Sequence, residues 1–228
     1  MRLSLMIGVA LLAMTAPLRA DTVEVAPAVK VTKRTFAAPA NEQPFLGFVD
    51  KTAEARATDD KFVSEVVQAA GSRKKAFDAT IQRGWMLIAK NNFADAAKRF
   101  NQAWLLSPEQ SAVYHGFAVI AIARFNDAAY AEELFKTAQA RPAPLKALNA
   151  DYGRFLLIAK RPADARAVLE KAVVDTPDFA DAWSNLGFAR LQGGDAKSAC
   201  AAAVEAGKLK PSSDVQRDLN MLMKQAQC

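Results

Sequence analysis

Histidine occurs once in 228 residues, as His115, and cysteine twice, as Cys200 and Cys228. Nucleophilic triads and zinc centres are usually assembled around histidine with serine, cysteine or carboxylate partners. One histidine leaves little from which to build either. A glycine-rich phosphate loop is also missing. Gly193-Gly194 lies at a turn and lacks the Lys-Ser/Thr that would follow in such a loop. Carboxylates are spread singly along the chain. These absences predict a protein without catalysis, metal or cofactor. An enzyme acting on an envelope polymer, through His115 and nearby Asp or Glu residues, is the alternative.

The formal net charge is +6, with both signs mixed along the whole length. Arg73-Lys74-Lys75 is the only tight basic cluster, and it has no interleaved aromatics. It reads as a solvated helix face and not as a nucleic-acid patch. The apolar run at residues 3–16 is too short to span a bilayer comfortably. Arg2 precedes it and residues 17–20 make a plausible cleavage region, so residues 1–20 read as a secretory signal. An uncleaved anchor is the alternative. No cysteine lies near the cut to accept a lipid. Export follows, most simply to a bacterial periplasm, with no integral membrane anchor.

Three columns of small residues then recur in one register. Ala96, Ala131, Ala165 and Ala199 are spaced 35, 34 and 34. Ala103, Ala138, Ala172 and Ala206 keep the same step, and Gly84, Ala118, Gly153 and Gly187 nearly so. A period of 34 is the length of one helix–turn–helix repeat. Each unit holds two amphipathic stretches around a short breaker. In the first, Ile81, Gly84, Trp85, Leu87 and Ile88 recur at helical spacing before Asn91-Asn92, and the second helix ends at Ser107-Pro108. A single pair cannot bury its apolar face, so the pairs must stack.

These residues resemble the tetratricopeptide repeat family. Its pattern places Trp, Leu, Gly and Tyr on helix A, then Ala, Phe or Tyr, Ala and Pro on helix B. The fourth unit matches best, through Trp183, Leu186, Gly187, Ala199, Ala206 and Pro211. The second is weakest, with one extra residue near 126–130 and prolines displaced to Pro142 and Pro144. The resemblance implies an all-α, right-handed solenoid of about four repeats over residues 72–211. A capping helix is expected at 58–71 and another at 212–228, the latter with Ser213 and Gln216 at capping-box spacing. Ala203 stands where the family has a bulky residue, so a following helix is expected to fill that space.

The resemblance also implies a groove lined by the A helices. Carried over residue by residue, its first unit contributes Gln82 and Trp85, the second His115 and Val119. The third contributes Asp151, Arg154 and Leu157, and the fourth Asn185 and Phe188. The alternative is that Trp85 and Phe188 are simply buried by neighbours. Some family members clamp a C-terminal carboxylate with Lys, Asn, Asn, Lys and Arg. Here those positions hold Ile81, Trp85, Gly116, Ala147 and Asp151. The clamp is absent, and the expected occupant is an apolar or mixed peptide of a protein partner.

Residues 21–57 show no period and read as a flexible linker. Within them, residues 44–49 form an apolar island. It either docks on the repeats in cis or serves as a handle for a partner. Two further readings follow, a self-associating protein (a possible homo-oligomer) and a structural protein whose own N-terminal segment fills the groove. In an oxidising compartment Cys200 and Cys228 invite a disulfide, since the last helix should run antiparallel to the one bearing Cys200. Free thiols and an intermolecular bridge are the alternatives. Together these readings predict a non-catalytic interaction scaffold of the cell envelope.

Overall fold

The computed structural model describes residues 21–228. The expected signal at residues 1–20 lies outside them. Eight helices form four antiparallel pairs: α2 (Arg73–Ala89) with α3 (Phe93–Leu106), α4 (Ser111–Ala123) with α5 (Ala128–Gln139), α6 (Leu148–Ile158) with α7 (Pro162–Asp175), and α8 (Ala180–Gln192) with α9 (Ala196–Lys208). Before them stands α1 (Ala53–Ala70), and after them α10 (Ser213–Ala226). The first helices of the pairs make an A layer and the second helices a B layer.

The turn inside each pair repeats as faithfully as the core. Asn91, Asn126, Lys160 and Gly194 all adopt left-handed backbone geometry. The next residue caps the B helix in three units. Asn92 accepts from Asp95 N, Asp127 from Tyr130 N and Asp195 from Ser198 N. In the third unit Arg161 has no capping side chain, and Pro162 begins the helix instead, where its missing N–H costs nothing.

The small-residue columns are packing requirements. Ala96, Ala131, Ala165 and Ala199 are fully buried. A Cβ on Gly84 would lie 2.8 Å from the Phe100 ring, and one on Gly153 would lie 2.3 Å from Leu169 Cγ. In these units the bulky B-helix residue therefore sits against the A-helix backbone. In the fourth unit that residue is Ala203, and Leu222 of α10 enters instead, 2.4 Å from where a Gly187 Cβ would be. The space left by Ala203 is thus filled by the following helix. Aromatic rings continue the core between units, from Phe100 to Trp85 at 5.6 Å, Trp85 to His115 at 4.6 Å, and Phe135 to Tyr152 at 5.1 Å.

The disulfide joins Cys200 to Cys228, with Cα atoms 5.7 Å apart. It ties the end of α10 back to α9. Helix starts differ slightly from expectation. Ser212 caps α10 by accepting from Val215 N, one residue before the expected Ser213. Likewise α1 begins at Ala53, capped by Thr52, five residues before the expected boundary. Its apolar stripe of Phe62, Val63, Val66 and Val67 is only half-buried.

The larger correction concerns residues 21–57, which are not a linker without structure. Strands β1 (Thr22–Ala26) and β2 (Val29–Thr32) form an antiparallel hairpin. It buries Val25, Val29 and Val31 while Lys30 faces water. A two-stranded sheet thus accompanies an otherwise helical chain. Two short 3-10 turns follow, Ala40–Glu42 and Pro44–Phe48. Asn101 of α3 anchors this strap. Its Oδ1 accepts from Leu46 N at 2.9 Å, and its Nδ2 donates to Gln43 O at 2.7 Å and Asn41 O at 3.1 Å. Trp104 Nε1 donates to Val25 O at 2.8 Å, and Glu133 Oε1 accepts from Thr32 N at 2.6 Å. Phe45 is buried against Trp104, Tyr114 and Phe117. Glu42 pairs with Arg124 and with Lys98. The island is therefore engaged in cis, on the B-layer side of the first two units. It does not fill the groove on the A layer, and its phenylalanine is not free to enter a second copy.

Candidate functional site

Three adjoining cavities run along the A layer. The first, about 750 Å³, is lined by α2 and the loops beyond α3 and α5, with Ile81, Gln82 and Trp85 on its wall. The second, about 470 Å³, is enclosed by Trp85, Ile88, Val119, Ile122, Phe155 and Ile158, with Asp151 and Arg154 at its edge. The third, about 250 Å³, lies between α6, α8 and α10 and takes in Leu157, Phe188 and Met221. Trp85 is common to the first two, and Arg154 and Ile158 to the last two. The result is one continuous channel with mostly apolar walls. No residue before Arg73 contributes to it among the described residues.

The expected groove residues fall into three groups. Gln82, Trp85, Val119, Arg154 and Phe188 present surface to the channel while remaining anchored in their helices. Leu157 and Asn185 reach its wall but are buried. Asn185 Nδ2 donates to Ala150 O at 3.1 Å, so its amide ties α8 to α6. His115 is on no wall. It has no exposed surface and stacks obliquely under Trp85. Helical spacing alone placed it on the groove face; the large indole of the preceding unit covers it.

Polar groups are concentrated at the centre of the channel. His115 Nε2 lies 2.9 Å from Asp151 Oδ2, and with its proton there the imidazole donates to the carboxylate. His115 Nδ1 and Trp85 Nε1 are enclosed without a partner. Arg154 Nη1 donates to Asp218 Oδ2 at 3.0 Å, a bond from α6 to α10. Asp181, at the start of α8, has its pKa raised from the ordinary carboxylate value. Burial is the main cause, and the negative charges of Asp151 and Asp218 add to it, while Arg154 opposes it. No group of three or more His, Cys, Asp or Glu side chains is arranged to hold a metal ion among the described residues.

Sequence reasoning missed Ile158, Asp218 and Met221. Ile158 is 71% exposed at the end of α6, four residues after Arg154 and so on the same face. That spacing was readable. Asp218 and Met221 belong to α10, which has no repeat partner to lend it a register.

No family model matches the sequence, and no curated protein matches it either. Solved structures do. PilF of Pseudomonas aeruginosa is similar at 23% identity and a TM-score of 0.58, over 68% of this chain and 71% of that one. PilW, described as a widely conserved type IV pilus biogenesis factor, is similar at 16% identity and a TM-score of 0.53, over 76% and 87%. YrrB, described as a TPR protein with an unusual peptide-binding site, aligns at 17% identity and a TM-score of 0.47, over 68% and 84%. Paired helices at a 34-residue step, with glycine and alanine at the contacts, give this chain the tetratricopeptide-repeat fold.

Proposed function

We propose that the chain is a non-catalytic scaffold of the bacterial cell envelope, holding a segment of another protein along its A layer. The observation that carries this reading is the uncovered apolar channel itself. Ile158 stands mostly exposed at its middle, and Trp85 and Phe188 flank it. Exposed apolar surface of this extent is retained where something binds. The strap and hairpin cover the other layer, so nothing in residues 21–57 competes for the channel.

The disulfide supports an oxidising compartment. PilW, whose fold is shared, is described as a pilus biogenesis factor, which supports envelope assembly work. No helix among the described residues is long and apolar enough to cross a membrane. Against catalysis stands the enclosure of His115. Its carboxylate neighbour is in place, but substrate has no access to the imidazole, and both cysteines are bridged.

A photo-crosslinking residue at position 158, compared with one at Val174, tests the reading. Val174 is 77% exposed on α7, in the B layer. A single envelope protein joined through position 158 and not 174, and released by Trp85→Ala, is the expected result. Equal labelling from both positions, or none from 158, overturns the groove as the working surface.

A further inference from the structure

The channel is acidic at its centre although the chain as a whole carries +6. Around the second and third cavities stand three carboxylates, Asp151, Asp181 and Asp218, and one cation, Arg154. Arg154 is already bonded to Asp218. Asp151 has only His115, an uncharged partner unless protonated. Asp181 forms no ion pair among the described residues and is half-buried. Two carboxylates thus lack a cation in a partly dry place, between apolar cavities on either side. The raised pKa of Asp181 is the electrostatic trace of that imbalance.

We propose that the channel selects a partner segment in which one lysine or arginine is flanked by apolar residues. The cation faces Asp151 and Asp181, and the apolar neighbours occupy the second and third cavities. This deepens the scaffold reading and rests on it. A charge-assisted bond to a half-buried carboxylate is stronger and more selective than one in water. A like charge brought to the same place is repelled, so the arrangement also excludes acidic segments.

Four synthetic 12-residue peptides provide the test. They share a leucine- and valine-rich framework and differ at one central position: lysine, arginine, norleucine or glutamate. Each is titrated against the purified chain by fluorescence anisotropy, and against Asp181→Asn and Ile158→Ser, with circular dichroism verifying that each variant is folded. The lysine and arginine peptides are expected to bind about tenfold tighter than the norleucine peptide, with glutamate weakest. Asp181→Asn removes most of that ratio and leaves norleucine binding intact, whereas Ile158→Ser weakens all four. Equal binding of the lysine and norleucine peptides, or a preference untouched by Asp181→Asn, overturns the charge selection while leaving the groove reading in place. Failure of all four to bind overturns both. A mass that then rises with concentration would assign the channel to a second copy of the chain.

Discussion

Gly153→Ala adds one methyl group to α6. In an open helix that change stabilises by about 1 kcal/mol, because alanine restricts the unfolded chain and favours the helix. At this position the new Cβ would lie 2.3 Å from Leu169 Cγ, and 2.5 and 2.8 Å from its two Cδ atoms. Carbon atoms rest about 3.5–4 Å apart, so Leu169 would have to retreat by more than about 1 Å. Leu169 is fully buried on α7, and the clash falls on its branch point, not on a free end. Overpacking of this kind costs about 1–3 kcal/mol, here toward the upper end. Subtracting the helix gain leaves a net loss of about 1–2 kcal/mol. Gly207 on α9 is the matched control, since a Cβ there meets nothing within 4 Å. Gly207→Ala is expected to stabilise by up to about 1 kcal/mol. Thermal unfolding followed by circular dichroism should move the two midpoints in opposite directions, by about 2–4 °C per kcal/mol. A further change, Leu169→Ala, should cost less in the Gly153→Ala background than in the parent. Should Gly153→Ala match or exceed the parent in stability, the column would not be a packing requirement, and the account of how these helices are registered would be wrong.

Three further outcomes are expected. Reduction, or Cys228→Ser, opens a loop of 28 residues and should cost about 3–4 kcal/mol by chain entropy; hydrogen exchange should show the loss concentrated in α10, and protection there unchanged by reductant would contradict the latch. Glu132 is held at about 2, mainly by its bond to Arg161 and then by Lys136. A depressed carboxylate contributes stability that is complete above its unfolded value near 4.5 and is lost as pH falls through about 2. Glu132→Gln should therefore lower stability at neutral pH and flatten its slope across that acid window, read as the urea midpoint against pH. Asn101→Ala leaves two carbonyls and one N–H of the strap without their partner, each costing about 1–3 kcal/mol if it stays buried. Limited proteolysis should then cut within residues 38–50 far faster than in the parent, with α8 to α10 still protected.

The features that were readable in the sequence share one property: each recurs four times. Ala96 alone is an ordinary alanine, but with Ala131, Ala165 and Ala199 at one step it marks a helix contact. The features that were not readable occur once. The hairpin alternates over only four or five residues per strand, and its turn has Ala28 at positive φ where a hairpin usually signals itself with Asn or Gly. Val23, Val25, Val29 and Val31 therefore looked like aperiodic composition. Asn101 lies on α3 among alanines and a phenylalanine, and nothing local distinguishes a buried amide that binds a distant strap from one that faces water. The groove shows the same division. Trp85, Val119, Arg154 and Phe188 follow from helical spacing within the repeats. Burial of His115 does not, because it depends on the bulk of Trp85 in the preceding unit, and Asp218 and Met221 do not, because α10 is outside the register. The acidic centre is built across that boundary: Asp151 and Asp181 come from the repeats, Asp218 from the cap. Specificity in this fold thus depends on residues that break the repeat, and the same irregularity that hides them from pattern reading distinguishes this channel from others built on the same scaffold.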